Sequence, residues 1–360
     1  MVSMPVNNSR NNENDARTYD LIRSVFDTSL IETAGQYEVW RESISCIFDT
    51  EAQREPIKNG FPARIEATRF NTLLFSKTIC PAQKWTRTPL RIAADGMDHL
   101  MIQLYKRGEH TWQKNDNDID LPKGGLLVFD LSQETRAFTT DSENLSVIIP
   151  KSLFADRINL SLNYHMKILY PNNAINSLLY NHLLDIDRIS QIITPSEACH
   201  IAPSTVGLLA SCLNMGVEFD DPAQKPAIDS AVFRRITSFI DVNLCNMKLN
   251  AKYISENIGV SRSGLYRIFN RFGGVENYIK KRRLDDSFRV LSDPSQNRRK
   301  ILDVAFDAGY NTHSSFCKAF KNQFNISPQE LRKNNFAKER GYAIDIAVDR
   351  TYERWLHSMN

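Results

Sequence analysis

Apolar positions along this chain change their period as one reads from end to end. Between 61 and 149 they fall in short runs rich in branched and aromatic residues: Ala63 to Phe70, Asn71 to Ile79, His99 to Tyr105, Leu126 to Phe129 and Ser146 to Ile149. Turn signals separate the runs. Pro122-Lys123-Gly124-Gly125 releases a buried strand, Leu126-Leu127-Val128-Phe129. Several short strands at this spacing predict a small antiparallel barrel or sandwich. On both sides of that region the apolar period is helical. Upstream, the spacing predicts a helix around Tyr19 to Thr28 and another from Gln36, with Val39, Trp40, Ile44 and Ile47 on one face. Downstream, it predicts helices over Leu153 to Tyr170, Ala174 to Ile193 and about Pro203 to Val217, with Pro171 and Pro195 at boundaries. Glu218 to Pro226 is acidic and interrupted by proline, the composition of a linker.

The last third repeats one pattern twice. A helix from Ile228 to Asn243 points Val232, Ile236, Phe239 and Ile240 inward. Asn250 then caps a helix that buries Ile254 and Ile258, Gly259 breaks it, and Ser261 caps a second helix with Leu265, Ile268, Phe269 and Phe272 inward. Arg262, Ser263, Tyr266, Arg267, Asn270 and Arg271 face out. Some fifty residues on, Ile301, Leu302, Ala305 and Phe306 recur at helical spacing, Gly309 suits a left-handed cap, and Thr312 caps a further helix. There Phe316, Phe320 and Phe324 share one face, opposite His313, Ser314, Cys317, Lys318 and Lys321. Ser327-Pro328-Gln329-Glu330 is a capping box with proline at the first helical position. Each unit is a helix, a glycine turn and a second helix with a polar, basic outer face, which is a helix-turn-helix. Between them Val275 to Leu291 is a long amphipathic run carrying Lys280-Lys281-Arg282-Arg283 and ended by Asp293-Pro294. Ile344, Val348, Tyr352 and Trp355 recur near helical spacing and predict a C-terminal helix.

Charge sharpens this division. The 360-residue chain carries a formal net charge of only +3, but residues 231 to 340 hold 21 Lys+Arg against 10 Asp+Glu. That segment is therefore +11 and the remainder −8. A basic module on an acidic remainder points to nucleic acid as one partner.

The two motifs, ISENIGVSRSGLYRIFNRFGG and DVAFDAGYNTHSSFCKAFKNQFNISPQELR, closely resemble the AraC/XylS family of bacterial transcription regulators, over residues 236 to 334. The resemblance implies two helix-turn-helix subdomains joined by one long helix, binding double-stranded promoter DNA and acting on RNA polymerase, usually as an activator. Carried across by position, it makes Ser263, Tyr266 and Arg267 of the first unit, and His313, Ser314, Cys317 and Lys318 of the second, the candidates for base contact. Arg267 suits guanine O6 and N7, while Tyr266 and Cys317 suit apolar contact such as a thymine methyl. Arg262, Arg271, Lys280 and Lys321 are placed against phosphates. The Trp40-Arg41-Glu42 helix, the strands, PKGGLLVFD and the closing strand into Ile149-Pro150 are similar to the cupin-like sensor domain of one branch of that family. In relatives such domains bind small effectors or dimerise, and the helices that follow form the dimer contact. No motif fixes the ligand, so the effector and its binding residues stay unassigned.

The resulting expectation is an α+β chain. A disordered start (1–16) precedes a small antiparallel β-barrel or sandwich with flanking helices (17–217), which senses a small organic effector and forms a homodimer. A linker (218–228), an all-α double helix-turn-helix domain (229–336) and a tail (337–360) follow. No catalytic residue, cofactor or metal is assigned. The start is polar and Asn-rich, without the apolar core of a signal peptide, and no apolar run approaches membrane-spanning length. Six cysteines at 46, 80, 199, 212, 245 and 317 show no C-x2-C spacing, as expected of reduced core thiols in a cytoplasmic protein.

Three rival readings stand beside this one. A DNA-repair methyltransferase with a related DNA-binding unit needs four clustered cysteines. A cupin-like metal-dependent enzyme with a fused DNA-binding tail needs closely spaced histidines, but His99 and His110 are eleven apart and read as surface or half-buried residues. The third is a regulator whose N-terminal domain only dimerises or binds a protein. There is no G-x-S-x-G elbow, P-loop or dinucleotide fingerprint. Trp85, Tyr105, Trp112 and Phe129 suit either an effector pocket or a barrel core, the core being the better place for Phe129. Arg69, Lys77 and Arg91 suit either a ligand carboxylate or surface solvation.

Overall fold

The computed structural model describes residues 23–70, 72–114, 117–215, 226–338 and 348–359. The expected disordered start and most of the expected linker lie outside these. The N-terminal part runs β1 (Arg23–Asp27), α1 (Gln36–Ile44), β2 (Asp49–Ala52), α2 (Arg54–Asn59), β3 (Arg64–Phe70), β4 (Leu73–Cys80), β5 (Gln83–Arg87), α3 (Pro89–Asp95), β6 (His99–Arg107), β7 (His110–Lys114), β8 (Asn117–Asp120), β9 (Leu126–Asp130), β10 (Thr135–Thr139), β11 (Ser142–Pro150) and β12 (Lys167–Leu169). The strands form two antiparallel sheets. Seven run in the order β1-β3-β4-β11-β6-β9-β12 and five in the order β2-β5-β10-β7-β8.

The larger sheet is covered on both faces. Its outer face presents Leu145, Val147 and Ile149 of β11 beside Leu100, Ile102 and Leu104 of β6. These pack under α4 (Ala174–Ile189) and α5 (Pro195–Asn214) through Leu179, Leu183, Val206 and Leu209. Its inner face meets the smaller sheet through Ile65, Leu74, Met101 and Ile148 opposite Trp112 and Ala137. Burial on two sides explains why β9 is buried at every position instead of alternating.

Three expectations fail here. Arg23–Asp27, read as the end of a helix, is a strand: Ser24 and Phe26 are buried and Val25 exposed, a period of two, and the segment pairs with β3. The helix expected over Leu153 to Tyr170 is a short 3-10 turn, Lys151–Phe154, followed by loops and β12. Asn159 Oδ1 accepts from Ser161 N at 2.9 Å and Asn163 Oδ1 from His165 N at 3.0 Å, so side chains compete for the amides a helix would use. The helix placed from about Pro203 begins eight residues earlier. The Thr194–Glu197 capping box and Pro195 in the first turn set its start, and Pro203 lies inside it.

The remaining elements are α6 (Pro226–Val242), α7 (Ala251–Ile258), α8 (Arg262–Ile268), α9 (Val275–Ser292), α10 (Ile301–Asp307), α11 (His313–Phe324), α12 (Pro328–Lys338) and α13 (Thr351–Ser358). The apolar cluster under α4 and α5 continues into Phe233, Ile236 and Ile240 of α6, where Arg234 pairs with Asp156 at 2.9 Å. A second junction is made by α3. Arg87, fully buried, grips Asp95 at the end of α3 with two bonds of 2.7 and 2.9 Å, and Ala93 packs against Leu284, Phe288 and Leu291 of α9. The two-sheet domain therefore touches both helical units.

Among the described residues no helix is long and apolar enough to cross a membrane. All six cysteines are free, and only Cys46, Cys80 and Cys212 are buried, so the core-thiol expectation holds for half of them. Cys199 and Cys245 are exposed because they sit on the outer faces of their segments.

Candidate nucleic-acid interface

The first unit forms as its caps dictate. Asn250 accepts from Tyr253 N at 2.9 Å to start α7, Gly259 ends it at φ +75°, and Ser261 accepts from Gly264 N at 3.1 Å to start α8. Leu265 and Ile268 anchor α8 over Ile254 and Ile258. Its opposite side leaves Arg262, Ser263, Tyr266 and Arg267 exposed, Tyr266 by 52%. The side chain of Arg271 lies outside the described residues.

The second unit repeats the construction with an aromatic core. Thr312 accepts from Ser315 N at 3.2 Å to open α11. Phe316, Phe320 and Phe324 are buried, and Phe288 of α9 stacks on Phe320 with ring centroids 6.2 Å apart. His313, Ser314, Lys318 and Lys321 stand exposed on the other face, and Cys317 is half-buried with Sγ 3.5 Å from His313 Nε2. Ser327 and Glu330 close the expected capping box on α12 at 2.8 and 3.2 Å. One detail of α10 differs from expectation. Val304 and Ala305 are its buried residues, while Leu302 and Phe306 are 40% and 46% exposed. A seven-residue helix buries one narrow stripe, and the small residues fit it.

The connecting helix α9 is continuous for 18 residues, about 27 Å at 1.5 Å per residue. Of its basic block, Lys280 is exposed, whereas Arg282 pairs with Asp241 at 2.9 Å. Arg283 donates to the carbonyls of Leu244 and Asn246, both at 2.8 Å. The same guanidinium lies under Gly309, where a Cβ would come within 2.6 Å of Nη1. Arg283 thus binds the turn that follows α6 and fits beneath the turn of the second unit. The structure brings Arg262, Ser263, Tyr266 and Arg267 onto the exposed face of α8, and His313, Ser314, Lys318 and Lys321 onto that of α11 with Cys317 half-buried beside them, while Lys280 lies on the spacer α9.

A cavity with about 690 Å3 of empty space, its open side included, lies between the two sheets. Trp85, Tyr105 and Phe129 line it, while Trp112 stands behind His110, ring centroids 5.8 Å apart. Arg69, Lys77 and Arg91 do not line it; Arg91 pairs with Asp49 and Lys77 with Glu143. His99 and His110, read as surface or half-buried, are each only 3% exposed because strand alternation turns them inward. Burial pushes the imidazole of His110 down to about 4 and lowers that of His99. No group of three metal-competent side chains occurs among the described residues. Sequence reasoning missed the polar lining, Ser76, Thr78, Gln103, Asn144 and Ser146, and the contribution of Tyr352 and Leu356. Polar residues on alternate positions inside otherwise apolar strands were the available signal.

Comparison with known proteins agrees with this geometry. Residues 254–334 match a helix-turn-helix domain family, spanning both units and α9. The fold and site are those of a helix-turn-helix DNA-binding transcription regulator, and the proteins it is similar to are named as transcriptional activators. The chain is 25% identical over 256 residues to XylDLEGF operon transcriptional activator 1 of Pseudomonas putida, covering 67% of this chain and 77% of that protein. It is 20% identical over 333 residues to transcriptional activator NphR of Rhodococcus sp, covering 91% of this chain and 98% of that one. Among solved structures, the AraC-like transcriptional activator CuxR matches with a TM-score of 0.50 and 23% identity, over 74% of this chain and 94% of CuxR, a likeness of fold.

Proposed function

We propose that the chain activates transcription from a promoter by placing α8 and α11 in successive major grooves on one face of the duplex. The carrying observation is the pair of capped helix-turn-helix units with exposed polar faces, fixed by one continuous spacer. Recognition helices that dock one helical turn apart, about 34 Å, let a single chain read a non-palindromic site. Ser263, Tyr266, Arg267, His313, Ser314, Cys317 and Lys318 contact bases, and Arg262, Arg271, Lys280 and Lys321 contact phosphates. Residues 229–336 form the DNA-reading domain, and 17–217 a cupin-like sensing and dimerising domain, joined by 218–228. The cavity between the sheets takes a small organic effector, α4 and α5 offer the homodimer contact, and the bound protein recruits RNA polymerase. The protein works in the cytoplasm as a regulator and not as an enzyme; its resemblance to named activators supports this reading over the metal-dependent one.

Binding of the full-length chain to its promoter, titrated against salt, tests the reading. The logarithm of affinity should fall by about 0.9 per phosphate neutralised for each tenfold rise in salt. Arg267→Ala should cost about 1–3 kcal/mol at the cognate site and relax preference at one base pair, whereas Lys321→Ala should weaken all sequences alike. A flat salt response, or a loss in Arg267→Ala that is equal on specific and random DNA, contradicts the proposal.

A further inference from the structure

The cavity has an ordered polarity, and one of its walls comes from the far end of the chain. Three adjacent strands, β4, β11 and β6, turn alternate residues into it, and their register stacks these in rows. Leu74, Ile148 and Met101 make an apolar row. Ser76, Ser146 and Gln103 make the next, and Thr78, Asn144 and Tyr105 the last. The polar rows are wired together: Tyr105 Oη donates to Gln103 at 3.4 Å, Gln103 Nε2 to Ser146 at 2.9 Å and Ser146 to Asn144 at 3.1 Å. His110 closes the polar end, 5.2 Å ring to ring from Tyr105, and its Nδ1 is buried without a hydrogen-bond partner.

At the apolar end stands α13. Tyr352 and Leu356 line the cavity and are 3% and 2% exposed. The helix is fastened to the two-sheet domain and not merely adjacent to it. Tyr352 Oη lies 2.8 Å from Ser43 Oγ, Glu353 also meets Ser43, and Arg350 pairs with Glu42 at 3.1 Å. Asp349 accepts from Val25 N at 2.9 Å, and Tyr352 N donates to Ser24 at 3.2 Å. Phe26 packs edge-on against the Tyr352 ring.

We propose that the cavity binds an uncharged aromatic or alicyclic molecule carrying a hydroxyl or carbonyl group, with the apolar body held against α13 and the polar group at the Tyr105–His110 end. This rests on the reading of the cavity as the effector site. Among the described residues, the lining contains hydroxyls, amides, an imidazole and apolar groups but no Lys, Arg, Asp or Glu. A carboxylate or ammonium there would lose its hydration with no opposite charge in reach. Burial holds the His110 imidazole down to about 4, so the empty cavity offers an anion no resident positive charge there. A hydroxyl or carbonyl is a different matter. It can satisfy the orphaned His110 nitrogen and join the Gln103 and Asn144 amides. The apolar row and α13 then define how large the rest of the molecule can be.

Calorimetry on the full-length protein at pH 7 with phenol, 1-naphthol and 1-naphthoate tests this. 1-Naphthol should bind at least tenfold tighter than 1-naphthoate. Leu356→Ala, which cuts back the α13 wall, should raise the ratio of 1-naphthol to phenol association constants several-fold. Should that variant unfold, Leu356→Val removes one methylene and should move the ratio the same way. Equal or tighter binding of 1-naphthoate overturns the uncharged class. An unchanged ratio in a folded Leu356 variant overturns the role of α13 while the effector-site reading stands. If 1-naphthol binds Ser146→Leu as it binds the parent, the molecule sits elsewhere, and the effector-site reading falls with the inference. Failure of both neutral probes to bind at millimolar concentration overturns both.

Discussion

Gly309 meets two constraints that Gly259 meets only singly. Both hold a left-handed backbone, φ +80° and +75°, at the turn of a helix-turn-helix. At Gly259 a Cβ would touch nothing within 4 Å, whereas at Gly309 it would run into Arg283. Alanine at either site carries the left-handed penalty of about 1–2 kcal/mol. Gly309→Ala should lower stability further, because Arg283 must leave two carbonyls or the turn must shift. Urea unfolding of the two variants compares them directly, and equal losses would show that Arg283 yields freely. His110 gives a pH prediction with a definite sign. Its folded-state value is near 4 against about 6.5 unfolded, so between those values the unfolded chain binds the extra proton. Stability is then full above about pH 6.5 and falls with acidification toward pH 4, by about 3 kcal/mol from this group. Burial lowers His99, His165 and His182 as well, which adds to the same trend. His110→Gln should flatten that part of the pH-stability curve in chemical denaturation, and an unchanged slope would remove the assignment.

The helices of the DNA-binding part were readable because each carries its own start, stop and buried stripe. Asn250, Ser261 and Thr312 cap as their side chains allow, and Asp293-Pro294 ends α9. The three phenylalanines of α11 point one way because they are four residues apart. Phe320→Ala should therefore unfold the second unit, at about 3–5 kcal/mol, without changing base preference. Circular dichroism melting beside binding to altered promoter sites separates the two effects, and a normally stable variant with lost DNA binding would reverse the orientation of α11. The strands were harder. β3, β4, β6, β9 and β11 announce themselves by apolar content, but β2, β5, β7, β8 and β10 make up the smaller sheet, which is polar on one side. Short segments such as Thr135–Thr139 have a buried-exposed alternation that only a partner strand makes decisive.

For the whole molecule, the interest lies in how the cavity and the two reading helices are connected. The two-sheet domain reaches the first unit through α6 and the second through α3, while α13 returns from beyond the second unit to the cavity. A bound molecule can shift DNA affinity only if it prefers one arrangement of these parts. Linkage then requires promoter DNA to change the affinity of that molecule by the same factor, with couplings of about 1–3 kcal/mol being typical. Calorimetric titration of the cavity ligand with and without promoter DNA should show that equality, and light scattering should show a dimer. Identical ligand affinity in both titrations would uncouple the cavity from DNA binding.

What the sequence determined by itself was set by neighbours within a few turns of chain. That covers both helix-turn-helix units, their caps and glycine turns, the spacer helix, the outward candidates on α8 and α11, and the two-part α+β layout. Such features depend on local hydrogen bonding and on a period that a one-dimensional pattern carries in full. Tertiary structure alone decided which polar strand residues face the cavity, because register between β4, β11 and β6 is a long-range quantity. It also decided that Arg283 holds the fold together instead of meeting solvent, and that His110 is buried and neutral. The placement of α13 against α1 and β1 belongs with these. It joins residues more than three hundred positions apart, and no local period can encode which distant surface an amphipathic helix will cover.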